Sequence, residues 1–172
     1  MGTRQVGSAR KVLRRTGLFA VAAGASLALL AGPAASSGAQ VTRGELHPFS
    51  AATASEQSIG GRAQMVRTAD GKTKVSIHVT GLAPGQSYDS HVHAGSCAVN
   101  AGGGGHYFFG APVPDGDGPL ADEIWPGPVT ANRGGVGNGN TIVGATAGPT
   151  AASVVIHRSG PAPNKIACAD LT

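Results

Sequence analysis

Aromatic residues, cysteines and charged residues are all scarce in this chain of 172 residues. Aromatic side chains make up 4% of the sequence and charged ones 13%, so a hydrophobic core has to come from valine, isoleucine and leucine. The sequence contains no Ser/His/Asp triad pattern, no phosphate-binding glycine loop, no paired-carboxylate arrangement and no internal repeat. These absences give no support to the common hydrolase, nucleotide-binding and repeat-protein classes.

The first 39 residues predict an export signal. Five basic residues and no acidic residue accompany a short alanine-rich apolar stretch over 18–30, which is too short for a permanent membrane anchor. Small residues follow, with candidate cleavage points after Ala35 and Ala39, and the Arg14-Arg15 pair is typical of a twin-arginine signal. We therefore expect a secreted or periplasmic protein.

The basic excess of the chain belongs to this leader. The whole chain carries 13 Lys and Arg against 9 Asp and Glu, a net charge of +4. Residues 40–172 keep eight of those bases and all nine acids, a net charge of −1. A domain of this charge offers no electrostatic reason to bind nucleic acid. The composition does not indicate an oligomeric state.

Residues 60–172 predict one all-β domain. A hairpin over 62–69 and 72–80 turns at Asp70-Gly71, and its second strand alternates apolar and polar residues. Short strands separated by Gly- and Pro-rich turns, without an amphipathic helix, indicate a β-sandwich or barrel. Residues 40–59 have no clear period and predict either a linker or a loosely attached first strand.

Four histidines are the candidate metal ligands. His91 and His93 lie two residues apart, so a strand over 88–93 points both to one face, although such pairs also occur on solvated faces. His106 ends a glycine run, where an incidental place in a mobile loop is the alternative, and His157 ends an apolar strand. Four neutral imidazoles without a carboxylate suit copper. The other two histidines outside the leader are predicted to be surface residues: His47 and His78.

Several segments resemble the copper/zinc superoxide dismutase family and occur in the family's order. They are the 89–93 run, Gly95-Ser96-Cys97, Gly104-Gly105-His106-Tyr107, the strand over 153–157 and the run over 165–170, preceded by a strand and turn over 70–85. The resemblance covers about residues 60–172. It implies a Greek-key β-barrel with its site outside the barrel under long loops, and the conversion of superoxide into oxygen and hydrogen peroxide.

Carried over by motif, the resemblance implies that His91, His93, His106 and His157 bind copper. It also implies that His106 carries a proton during the reaction. The family places an arginine a few residues before its last cysteine to attract superoxide, and Lys165 stands near that place. Because lysine lacks the planar guanidinium fork, we expect weaker guidance of the anion.

The two cysteines are expected to form a disulfide. Cys97 and Cys168 match family positions, and two cysteines in an exported protein usually pair, with two free buried thiols as the alternative. The bridge would tie the loop after His93 to the last strand. It would stabilise the fold by about 4 kcal/mol on a chain-entropy estimate.

The zinc ligands of the family are missing. Residues 107–156 contain no histidine, and Trp125 stands where the resemblance places the zinc aspartate. The sequence therefore predicts no zinc site and resembles the copper-only branch of the family. The resemblance makes His106 the histidine that bridges the two metals in zinc-containing members, so without zinc its second nitrogen needs another partner. Asp122 and Glu123 are the candidates, with an exposed acidic turn as the alternative.

Two functions remain open at this point. One is an exported copper-dependent superoxide dismutase, and the other is a non-catalytic module that binds or sequesters copper outside the membrane. A structural β-domain whose histidines bind nothing is a third, weaker alternative. The number of ligands does not separate the first two.

Overall fold

The computed structural model describes residues 38–99, 102–110, 122–159 and 165–172. The predicted leader, apart from its last two residues, lies outside these ranges. Within them the chain forms nine strands and a single 3-10 turn at Glu56–Ser58. No helix of the described residues is long and apolar enough to cross a membrane.

The strands form two antiparallel sheets. They are β1 (Gln40–Glu45), β2 (His47–Pro48), β3 (Gly60–Arg67), β4 (Thr73–Thr80), β5 (Ser87–His93), β6 (Val129–Thr130), β7 (Gly137–Val143), β8 (Ser153–Arg158) and β9 (Lys165–Asp170). One sheet has the order β1-β3-β4-β7 and the other β2-β9-β8-β5-β6. Strands distant in sequence, such as β5 and β8, are neighbours, as in Greek-key folds. The predicted all-β class is confirmed.

The predicted hairpin is formed by β3 and β4. Their register runs from Gly60 opposite Thr80 to Arg67 opposite Thr73, and Gly71 in the turn has a positive φ of 81°. Along β4, Val75, Ile77 and Val79 are buried while the intervening residues are more exposed. The alternation read from the sequence therefore fixes which face of this sheet contributes to the core.

Residues 40–59, for which the sequence left a linker or a first strand open, contain the first strand of a sheet. β1 pairs with β3 over its whole length, from Gln40 opposite Arg67 to Glu45 opposite Arg62. The backbone of Arg43 also exchanges two hydrogen bonds with Thr172. Of the two alternatives, the structure therefore shows a first strand rather than a linker at residues 40–45. The sequence of β1 shows no alternation of apolar and polar residues, because an edge strand with mostly exposed side chains does not need one.

An ion pair fastens the 3-10 turn to the end of β8. The Arg158 guanidinium donates to both oxygens of the Glu56 carboxylate, and the Nε–Oε1 distance is 2.5 Å. The Thr53 backbone N–H and hydroxyl donate to the same carboxylate. Arg158, opposed by partial burial and helped by Thr53, lowers the pKa of Glu56 from 4.5 to about 2.

A buried hydroxyl on β5 lacks a hydrogen-bond partner among the described residues. Ser90 is fully buried between Tyr88 and Val92 on the inward face of β5, and its Oγ has no hydrogen-bond partner in the described part of the chain. A buried, unpaired hydroxyl costs free energy. Ser153, also fully buried, differs because its Oγ donates to the Gly95 carbonyl at 2.7 Å.

We expect Ser90→Ala to raise the free energy of unfolding by about 1 kcal/mol, because it removes a polar atom that is desolvated without compensation. The matched control, Ser153→Ala, should lower it by about 1 kcal/mol, since it leaves the Gly95 carbonyl without its donor. Urea unfolding of both variants measures the two changes. A loss of stability in Ser90→Ala equal to that of the control would contradict the burial described for Ser90.

The Glu56–Arg158 pair predicts an acid-dependent loss of stability. The folded-state pKa of Glu56, about 2, lies below its ordinary value of 4.5, so its stabilisation is complete above pH 4.5 and disappears as the pH falls toward 2. We expect Glu56→Gln to cost about 2 kcal/mol at neutral pH. The gap between wild type and variant in urea midpoints should narrow across this window, and a constant gap would contradict the assignment.

Candidate metal centre

Three imidazoles converge where β5 and β8 lie side by side. His91 and His93 share one face of β5, and His157 reaches the same place from β8, which pairs antiparallel with β5. The Nε2 atom of His157 lies 2.7 Å from that of His91 and 3.3 Å from that of His93. One ligand atom from each of the three residues lies within 4.8 Å of the others, which is the spacing of a shared metal ion. We call these three residues the histidine triad.

The triad is buried and uncharged. Its members are 4%, 1% and 5% exposed in chain order. Burial, with His157 and Lys165 adding repulsion and the Gly104 carbonyl opposing it, lowers the pKa of His93 to about 3. Burial, together with His106 and Lys165, lowers the pKa of His157 to about 3, and burial lowers that of His91 even further. All three rings are therefore uncharged at neutral pH, which leaves one nitrogen of each ring without a proton, as metal ligation requires.

A loop of four consecutive glycines, residues 102–105, covers the triad, and we call it the glycine loop. Gly103 has a φ of 79°, and a Cβ atom there would lie 2.8 Å from Val155 Cγ2 and 3.0 Å from His93 Cβ. Only glycine allows the loop to approach β5 and β8 this closely. The loop therefore folds sharply back over these two strands. The loop also explains the apolar run of β8, since Val154 and Ile156 face the core while Val155 lies outside it.

His106 stands beside the triad. It forms an isolated β-bridge with His93. Its ring centroid lies 3.6 Å from that of His91, 5.1 Å from that of His93 and 6.4 Å from that of His157. Its side chain is 16% exposed. The structure therefore brings all four predicted histidines together, with His106 at the margin of the group.

Two of the imidazoles are oriented through their Nδ1 atoms. His93 Nδ1 donates to the Gly104 carbonyl at 2.9 Å, so its Nε2 carries the lone pair. His106 Nδ1 donates to Glu123 Oε1 at 2.6 Å. Such outer partners fix the tautomer and the orientation of metal-binding histidines.

The acid that holds His106 is Glu123 rather than Asp122. Glu123 is 4% exposed and forms an isolated β-bridge with Phe108, which turns its carboxylate toward the imidazoles. Asp122 contributes its backbone carbonyl, which accepts a hydrogen bond from the N–H of Phe109 at 2.9 Å. The sequence alone could not choose between the two acids, because the β-bridge between Glu123 and Phe108 decides which of two adjacent side chains faces the site.

Trp125 also belongs to the site, a role that the sequence did not predict. Its indole Nε1 donates to Glu123 Oε2. Its ring meets that of His91 edge-on, with centroids 4.7 Å apart and planes at 70°. The only sequence signal was its position, which the family resemblance gives to a zinc ligand.

Lys165 anchors the glycine loop. Its Nζ donates to the Gly102 carbonyl at 2.8 Å and to the Gly104 carbonyl at 2.6 Å. A register shift between β8 and β9 leaves Ile166 without an opposite residue on β8 and sets Lys165 opposite His157. The predicted guidance of superoxide by Lys165 stays a prediction.

The predicted disulfide is present. Cys97 and Cys168 are joined, with an S–S distance of 2.12 Å and Cα atoms 5.7 Å apart. The Cys97 N–H also donates to Asp170 Oδ1 at 2.7 Å. The loop that leaves β5 after His93 is therefore tied to β9 by a covalent bond and a charged hydrogen bond.

The residues of the site fit a copper ion. The triad is the single group of three or more His, Cys, Asp or Glu with metal-binding spacing in the described ranges. His91 Nδ1 is buried without a hydrogen-bond partner there, although a buried ring nitrogen normally has one. Three unprotonated imidazoles with a fourth beside them form the nitrogen-rich donor set that copper favours.

Comparisons with known proteins give a fold-level likeness. No protein-family model matches this chain. No curated protein matches it either. Among solved structures, a mutant form of superoxide dismutase 5 from Candida albicans is similar, with 18% identity and a TM-score of 0.45 over 77% of this chain and 92% of that one. The case for a metal rests on the histidine geometry rather than on this likeness.

We expect the purified protein to bind one Cu(II) ion per chain through these histidines. His157→Ala should weaken binding by roughly a hundredfold or more, because losing a ligand costs at least as much as losing an outer partner. His78→Ala is the matched control, since His78 lies on β4 in the other sheet, where its Nδ1 is hydrogen-bonded to Asn138 Oδ1. Competition with a chelator, followed by electron paramagnetic resonance, measures affinity. Equal weakening in both variants would contradict the site.

Proposed function

We propose that this chain is an exported, copper-dependent superoxide dismutase-like protein of the copper-only kind. The observation that carries the proposal is the convergence of three buried, unprotonated imidazoles to within 4.8 Å, with His106 packed against His91. The reaction itself comes from the sequence resemblance, because a histidine cluster alone does not specify a substrate.

The chemistry that copper supplies when bound is one-electron transfer, through which two superoxide ions and two protons become oxygen and hydrogen peroxide. The protein's part is to hold the donor set, to bring the anion in and to supply a proton. The chain's own residues divide these tasks between the triad, Lys165 and His106.

His106 is the residue that we assign to proton transfer. Its Nδ1 donates to Glu123 Oε1, with the two atoms 2.6 Å apart, so the ring has one orientation. We therefore assign the transferred proton to Nε2. The side chain is 16% exposed, whereas the triad is 5% exposed or less, so His106 is the most exposed imidazole of the site. A general acid needs both a fixed orientation and a path for its proton.

Lys165 is the residue that we assign to attraction of the anion. Its ammonium group is close enough to lower the pKa of His93 and His157, so its positive charge acts on the site. Superoxide is a small anion, and a positive group beside the reacting centre raises both its local concentration and its encounter rate.

The proposed place of action is outside the cytoplasm. The basic and apolar leader supports export, and the Cys97–Cys168 disulfide fits an oxidising compartment. Superoxide is the proposed partner; neither nucleic acid nor a permanent membrane anchor is part of the proposal.

Two observations favour the alternative of a copper-sequestering module. Lys165 is already engaged by two backbone carbonyls, which reduces the charge that it offers to an anion. The triad is almost completely buried under the loop, and such burial suits tight retention of a metal ion as well as catalysis at it. Superoxide turnover distinguishes this alternative from the enzyme, because both bind copper.

We expect the copper-loaded protein to accelerate superoxide decay and His106→Ala to abolish that turnover, because the variant loses the proton-carrying imidazole. The triad remains in this variant, so copper binding should be reduced but retained. Pulse radiolysis or stopped-flow spectroscopy measures the decay directly. His47→Ala, at an exposed position of β2, is the control.

Two results would contradict the enzyme assignment. A protein that binds copper tightly but leaves superoxide decay at the rate of the metal-free protein is the sequestering module. Full turnover in His106→Ala would remove His106 from the mechanism and leave the protonation step without its proposed donor.

A further inference from the structure

The single tryptophan of the chain lies between the acid and one member of the triad. Its Nε1 donates to Glu123 Oε2, while Glu123 Oε1 accepts from His106 Nδ1 at 2.6 Å. We propose that Trp125 is a positioning residue, which takes over from a second metal the task of orienting His106 through Glu123. This inference rests on the proposed function.

The carboxylate of Glu123 needs both of its donors. It is 4% exposed, and a buried carboxylate is stable only when hydrogen-bond donors replace the water that it has lost. His106 provides a donor on one oxygen and Trp125 provides one on the other. Without the indole, Oε2 would be left in a dry environment and the carboxylate would gain by rotating or by drawing in solvent.

The backbone explains why these two side chains meet. Glu123 and Trp125 stand on either side of Ile124, which is fully buried in the core, and the hydrogen bond between their side chains shows that both lie on the same side of the backbone. The Ile124 carbonyl accepts a hydrogen bond from the Val92 N–H at 3.0 Å. Val92 lies between His91 and His93, so this bond sets the acid and the indole directly beside the histidine face of β5.

The indole also touches the triad itself. Its ring centroid lies 4.7 Å from that of His91, and it lies 6.2 Å from that of His106, in both cases edge-on. Such contacts limit the rotation of both imidazoles. Trp125 therefore couples the orientation of His106 to the position of His91 through one rigid side chain.

The test compares Trp125→Phe with wild type in the metal-free protein. Phenylalanine keeps an aromatic ring against His91 but removes the N–H donor. Nuclear magnetic resonance of ¹⁵N-histidine should show a slowly exchanging, downfield Nδ1 proton for His106 in wild type. In Trp125→Phe this signal should move upfield and exchange faster, because the acceptor carboxylate is no longer held.

Copper affinity gives a second measurement. We expect Trp125→Phe to weaken Cu(II) binding roughly tenfold, at the lower end of the usual effect of an outer partner, and to change the hyperfine splitting of the copper spectrum. The matched control is Tyr88→Phe, which removes a polar atom from another buried aromatic ring. That hydroxyl accepts a hydrogen bond from the Ala83 N–H on the far side of β5, so the His106 signal should not change.

A further variant separates the hydrogen bond from the ring. Trp125→Gln restores an N–H donor without an aromatic side chain, and it should return the His106 signal toward wild type. If Trp125→Phe does not fold, the test compares the His106 signal of Trp125→Gln, which keeps an N–H donor, with that of Trp125→Leu, which has none. A signal that is the same in wild type, Trp125→Phe and Trp125→Leu would overturn the inference.

The two proposals fail in different ways. If wild type binds no copper, the proposed function is wrong, while the His106 signal of the metal-free protein still decides the role of Trp125. If wild type binds copper and removes superoxide but Trp125→Phe leaves the His106 signal unchanged, the positioning role is wrong and the function stands.

Discussion

The antiparallel pairing of β5 with β8 is the interaction on which the candidate metal centre depends. It brings His157 within 3.3 Å of both histidines of β5, although 64 residues separate it from His93. Backbone hydrogen bonds hold this register, and a slip of one residue would turn the histidines of one strand into the core. The position of the site is therefore decided by the sheet before any metal binds.

The glycine loop turns this cluster into a dry site. It can lie against β5 and β8 because Gly103 has no Cβ, and it stays there because Lys165 and the disulfide hold it from two sides. Burial then keeps the triad unprotonated, which a solvated cluster of imidazoles would not be below neutral pH. The same loop supplies the carbonyl that fixes the tautomer of His93.

Periodicity and local chemistry allowed much of this to be predicted. The two-residue spacing of His91 and His93 and the glycine run each have a local physical reason, and the structure places them accordingly. The disulfide, which is also present, was expected from two cysteines in an exported protein and from the family resemblance. Three features were out of reach, namely the pairing of β1, the choice of Glu123 over Asp122 and the place of Lys165. Each depends on a contact distant in sequence: an edge-strand ladder, an isolated bridge to Phe108 and a register shift in β9.

The Trp125–Glu123–His106 chain is the means by which the proposed single-metal site would be completed by protein groups alone. An imidazole that lies beside only one ion needs its second nitrogen fixed, and a buried carboxylate is suitable only if its own second oxygen is paired. The indole meets that condition with a rigid donor whose ring also packs against His91. Because a tryptophan N–H cannot accept a proton, the chain of hydrogen bonds has one direction, from the indole and the imidazole toward the carboxylate. The Nδ1 proton of His106 is thereby committed to Glu123, and the proposed proton transfer is assigned to Nε2.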